Sequence, residues 1–148
     1  MKLKAEVIID ADRETAWRYF DDPDNLSKWQ PTLKSYSYVS GTPGQPDAVC
    51  ELRYMEKSRS RVVRETITAR RETAFLAGMR ESGYGNAIVV NHFEDAGDGK
   101  THWIAYWNYS FKGVAKFKTL FTHRSFRNRI EDDMNRFKLL VETAESES

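Results

Sequence analysis

The sequence has one cysteine, Cys50, so an internal disulfide is excluded and a reducing compartment fits. Charge of one sign is also missing: 23 Lys and Arg face 22 Asp and Glu, a formal net charge of +1 at pH 7. Basic and acidic residues are interspersed, which leaves no electrostatic footprint for nucleic acid. No apolar run approaches the ~20 residues of a membrane span. The opening "MKLKAEVIID" is too short in apolar residues for a signal peptide. His92, His102 and His123 share no ligand spacing with one another or with Cys50, so neither a metal nor another cofactor is expected. There is no P-loop and no nucleophile elbow, and "GYGN" lacks the strand-to-helix turn of a dinucleotide site. These absences leave a cytoplasmic globular protein with no membrane span, no nucleic-acid partner and no cofactor-driven chemistry.

What is present is aromatic: 13% of the 148 residues are Phe, Trp or Tyr, and they cluster. The length fits one domain over residues 1–144 with a frayed tail at 145–148. Residues 3–9 alternate apolar and charged side chains as a half-buried strand. Asp12 then offers a helix cap, and Trp17 and Phe20 mark a short amphipathic helix that ends before Pro23, with one further turn at "NLSKW". From 33 to 112 the texture is six β-like runs, roughly 33–40, 48–56, 61–69, 73–81, 86–94 and 101–112, separated by turns such as "TPGQPD" and "AGDGK". Short connections of this kind imply an antiparallel meander. Residues 114–143 read as one long helix. The expected class is α+β: a curved seven-stranded antiparallel sheet wrapped on a long C-terminal helix, with two short helices after the first strand.

The segment "VIIDADRETAWRYFDDPDNLSKWQPTL" resembles the strand, helix and "Trp-x-Pro" opening of the START-related SRPBCC superfamily, which includes polyketide cyclase-like and pollen-allergen-like proteins. Ala11, Trp17, Trp29 and Pro31 occupy the matching places, while Asp12 and Ala16 stand where Pro and Val are frequent in that family. "GTPGQ", "VRETI", "GDGKTHW" and "RFKLLVE" extend the likeness over essentially the whole chain. The resemblance implies a helix-grip fold with a cavity between sheet and helix, holding a hydrophobic ligand, lipid-like or aromatic. It carries little about chemistry, because fold and function separate readily.

The residues themselves suggest what lines such a cavity. In "THWIAYWNYSFKG", alternation places Trp103, Ala105, Trp107, Tyr109 and Phe111 on one face and Tyr106 on the other. Rings with polar atoms favour a pocket over a core of Leu, Ile and Val, though a plain aromatic core stays open. Glu65 shares its face with Val63 and Ile67, so it is either a carboxylate in the wall or a wet residue near an edge. Tyr54 falls inward with Leu52 and Cys50, while the face of Tyr36 is ambiguous. Met79 is counted with the lining, and one of Asn91 and His92 must face inward. On the long helix, Phe126, Ile130, Met134, Phe137 and Val141 form an apolar stripe. Extended backwards it reaches His123, with Arg127 at its edge, while Phe117 and Phe121 fall on the opposite side as a mouth, lid or dimer patch.

Three functions compete on this reading. The first is a binder of a hydrophobic or aromatic small molecule through Tyr36, Tyr54, Ile67, Met79, Trp103, Trp107, Tyr109 and Phe121. The second is a cyclase or dehydratase with Glu65, His123 and Arg127 as its acid, base or orienting groups. The third is an interaction module, a co-chaperone or homodimer, using the Phe117 and Phe121 face.

Overall fold

The computed structural model describes residues 1–113 and 119–148, with side chains in the second span from His123 onward. The elements run β1 (Lys2–Ile9), α1 (Arg13–Asp21), a 3-10 turn (Pro23–Asn25), α2 (Leu26–Trp29), β2 (Leu33–Ser40), β3 (Val49–Glu56), β4 (Arg59–Arg71), β5 (Phe75–Ser82), β6 (Gly85–Gly97), β7 (Lys100–Phe111) and α3 (Thr119–Ser146). The strands form one antiparallel sheet of seven in the order β1-β7-β6-β5-β4-β3-β2. The helix-grip expectation holds.

Local chemistry explains the helical opening. Asp12 accepts a hydrogen bond from the Thr15 amide at 2.8 Å and so caps α1. Asp22 does the same for Asp24 ahead of Pro23, turning the chain into α2. A guanidinium then fastens this segment to the sheet. Arg70 forks onto both carboxylate oxygens of Asp21 at 2.6 and 2.7 Å, reaches Glu72 at 2.9 Å and lies 5.2 Å over the Trp17 ring.

The core is a ring cluster beneath the helices. Trp103 stacks on Phe93 at 5.5 Å and meets Trp29 and Phe137 edge-on at 5.6 and 5.0 Å. The α3 stripe packs into it: Ile130, Met134, Phe137 and Val141 are all buried. The helix runs three residues past its expected end at 143, where Tyr19 Oη donates to Glu145 at 3.1 Å and Arg18 pairs with the same carboxylate.

The outer face of the sheet settles two orientations. Asn91 points inward and accepts from Trp103 Nε1 at 3.0 Å, whereas His92 packs outside between Phe75 and Tyr106. Met79 corrects the expectation that it lines the cavity. It pairs with Thr66 and Ile88, alternates with the inward Arg80, and is 38% exposed on the outer face.

Candidate functional site

A cavity of about 190 Å³ lies between the concave face of the sheet and α3, walled by α2 on one side. Strand alternation places its walls. Tyr54 of β3, Arg61, Val63 and Glu65 of β4, and Leu76 and Arg80 of β5 point into it. Val89 and Asn91 of β6 and Trp103, Ala105, Trp107 and Tyr109 of β7 complete the sheet side. A β-bulge between Ile67 and Ala69 shifts the pairing register there, and Ile67 lines the cavity beside it.

The aromatic strand divides its work. At Trp103 the rings are close-packed core, whereas among the described residues Trp107 and Tyr109 meet a single helix ring, Phe126, at 5.5 and 5.2 Å. Gly85 closes this end of the wall. Its φ is 154°, and a Cβ there would sit 2.1 Å from the Ser110 carbonyl oxygen, so only glycine lets β6 approach β7.

Charges concentrate on one side of the cavity. Arg80 faces Glu65 across the β4–β5 ladder at 3.5 Å and donates to Tyr54 Oη at 2.5 Å. Its guanidinium also lies 5.3 Å over the Trp107 ring. Burial alone would weaken its hold on the proton, but Tyr54 and Glu65 outweigh burial and hold Arg80 above the usual arginine range. Tyr54 Oη in turn donates to Gln30 Oε1 at 2.8 Å, and Arg61 covers the same ring from 4.9 Å. Arg61 is pushed below its ordinary value by burial and by the neighbouring Arg129 and Arg80. Tyr36, beside Cys50, is pushed up chiefly by burial, and the Cys50 thiol rises to about 11 for the same reason, an inert buried group.

The helix contributes Phe126, Arg129, Ile130, Asp133 and Met134. Burial raises the Asp133 carboxyl to about 6 against the opposing pull of Arg136 and Arg129. α2 adds Trp29, whose indole nitrogen is buried and has no hydrogen-bond partner among the described residues.

Of the residues expected from sequence, Glu65, Tyr36, Tyr54, Ile67, Trp103, Trp107 and Tyr109 line the cavity. His123 and Arg127 do not join Glu65. Arg127 donates to the Lys4 carbonyl at 3.3 Å along the β1 edge, and half-buried His123 lies a turn ahead of the lining. The face that meets the cavity steps 126, 129, 130, 133, 134, rotated away from 127. Phe117 and the Phe121 side chain fall outside the described residues. Arg61, Arg80, Arg129, Asp133 and Trp29 escaped the sequence reading as lining residues, and Asn91 was one of two alternatives with His92. For the two strand arginines the signal was there, in the same alternation that placed Glu65 and Tyr54.

Among the described residues, no three His, Cys, Asp or Glu side chains gather as metal ligands, and no helix is long and apolar enough to cross a membrane. Residues 1–142 match the model of a family described as "Polyketide cyclase / dehydrase and lipid transport". No curated protein matches the chain in sequence. Solved structures do match in fold. The crystal structure of Ara h 8.0201 is similar with a TM-score of 0.79 at 16% identity, over 97% of this chain and 98% of that one. The Zhui aromatase/cyclase from Streptomyces sp. R1128 gives 0.81 at 9% identity, over 96% and 93%. A conserved protein from Geobacillus kaustophilus gives 0.77 at 15% identity, over 97% of each chain.

Proposed function

Because the chain belongs to the polyketide cyclase / dehydrase and lipid transport family, we propose that its cavity binds a small hydrophobic ligand with an aromatic body. The observation that carries this reading is the Trp107–Tyr109 end of β7, where rings border about 190 Å³ of space instead of packing solid. An apolar cavity of about 150 Å³ is known to take up benzene, so the space suits one or two rings rather than a long chain. Burying about 200 Å² of ligand surface contributes roughly 5 kcal/mol before the cost of immobilisation, which places binding from apolar burial alone at about a millimolar or weaker.

A neutral fluorescent probe, N-phenyl-1-naphthylamine, tests this. Wild type should enhance its emission and have its own tryptophan fluorescence quenched. Ala105→Leu, which adds bulk to the cavity wall between Trp103 and Trp107, should weaken binding at least tenfold while the circular dichroism stays unchanged. Absence of binding to wild type, or equal binding to the filled variant, removes the proposal.

A second reading is favoured by Asp133. A carboxyl held near 6 inside a cavity is poised to exchange a proton at neutral pH. With Tyr54 and Arg80 positioned opposite, it supports a cyclase or dehydratase acting on a bound ligand. The acid of that reading is Asp133 with Glu65, in place of His123 and Arg127. Turnover of an aromatic or polyketone substrate that survives Asp133→Asn and Glu65→Gln alike would remove it.

A further inference from the structure

Most charged groups of the cavity are already matched. Glu65 is held by Arg80 at 3.5 Å, Asp133 by Arg136 at 2.9 Å, Asp21 by Arg70 at 2.6 Å, and Arg129 by Glu56 at 3.1 Å. Glu81 borders the cavity too, but it belongs to the outer set of β5, alternating with inward Arg80, and is exposed to solvent. Arg61 is the exception. It projects into the cavity over the Tyr54 ring, and among the described residues it has no carboxylate partner and donates no hydrogen bond. Residues 114–122 cannot supply the missing anion, because that stretch contains neither Asp nor Glu.

A half-buried guanidinium with no carboxylate partner is open to an incoming anion, and its planar fork matches the paired oxygens of a carboxylate. The Trp29 indole, 7% exposed and lining the same cavity, is a second donor without a partner. Apart from Gln30, Thr32, Ser82 and Asn91, the uncharged wall is mainly aromatic or aliphatic. Resting on the reading of an aromatic ligand, we infer that the ligand is a small aromatic carboxylic acid, its carboxylate received by Arg61 and its ring set against Trp107 and Tyr109. An unpaired Arg61 guanidinium favours a carboxylate over a neutral ligand of the same shape. Burial and the nearby Arg129 and Arg80 already burden its charge, and an incoming anion relieves that burden.

Matched pairs test this. Titrations of wild type, Arg61→Gln and Arg61→Lys with 1-naphthoate and 1-naphthamide, and with benzoate and benzamide, separate charge from shape. Wild type should bind each acid at least tenfold more tightly than its amide. Arg61→Gln should lose that preference while leaving amide affinity within about twofold, and Arg61→Lys should keep part of it. Equal binding of acid and amide by wild type overturns the inference and leaves the aromatic-ligand reading standing. So does a preference that survives Arg61→Gln. If neither member of any pair binds wild type, and the neutral naphthylamine probe also fails, both readings fall. The wild-type comparison decides the matter even where a variant does not fold. Stronger binding of 1-naphthyl phosphate than of 1-naphthoate also overturns the carboxylate assignment, in favour of a phosphate.

Discussion

Glu65 and Arg80 stand directly opposite each other on β4 and β5, 3.5 Å apart, with both side chains turned into the cavity wall. Neither is at home there alone. Arg80→Met strands a carboxylate that is 29% exposed, and the partial exposure softens the loss. We expect destabilisation of about 2–3 kcal/mol, a fall in melting temperature of roughly 5–10 °C. Adding Glu65→Gln to Arg80→Met should recover part of it, a non-additivity that urea melts of the four proteins would measure.

Asp133 gives a pH signature. Its carboxyl titrates near 3.8 when free and near 6 in the fold, so between those values the folded state holds more protons than the unfolded one. Wild-type stability therefore loses a contribution as pH rises from about 4 to 6. Asp133→Asn should match wild type near pH 4 and exceed it by about 2 kcal/mol at pH 8. A mutant-minus-wild-type difference that stays flat across urea melts at these two pH values contradicts the assignment.

Trp29 and Trp103 make a paired comparison. The Trp103 indole satisfies Asn91, whereas the Trp29 indole satisfies nothing among the described residues. Substitution by Phe removes similar volume at both, but only Trp103→Phe takes the partner from a half-buried amide oxygen. Trp103→Phe should cost about 1–2 kcal/mol more than Trp29→Phe in denaturant melts. Equal costs would mean that the Asn91 bond adds nothing.

Gly85→Ala should be severe. The added methyl meets backbone at 2.1 Å, with no flexible side chain to yield. A loss of about 2 kcal/mol or more is expected, together with weaker probe binding, since Gly85 borders the cavity. An Ala variant with wild-type melting would contradict the close approach of β6 to β7.

The sequence carried the fold through periodicity. Period-2 alternation placed Glu65, Tyr54 and the β7 rings on the inner face, and the steps of the α3 stripe named Ile130, Met134, Phe137 and Val141 as core. The site was legible only in its apolar half. A helix stripe read from apolar residues alone misses charged neighbours such as Arg129 and Asp133, which share that face at i+3. Arg127, adjacent in sequence to Phe126, points instead to the β1 edge because one residue is a rotation of about 100°. Pairing was also invisible: that Arg80 has Glu65, and that Arg61 has nobody among the described residues, depends on register between strands, which a bulge between Ile67 and Ala69 shifts locally.

The division of β7 has a practical meaning. Its Trp103 end is locked among Phe93, Trp29 and Phe137, while its Trp107 and Tyr109 end meets Phe126 from the helix and, at Tyr109, Phe111 of its own strand. A library that varies 107 and 109 and leaves 103 alone should therefore explore new ligand shapes at less expense in folding than one that varies 103, with buried Tyr109 the costlier of the two. The same diversity introduced at 103 should return mostly unfolded chains. One strand thus holds the scaffold and the adjustable reader within a few residues of each other.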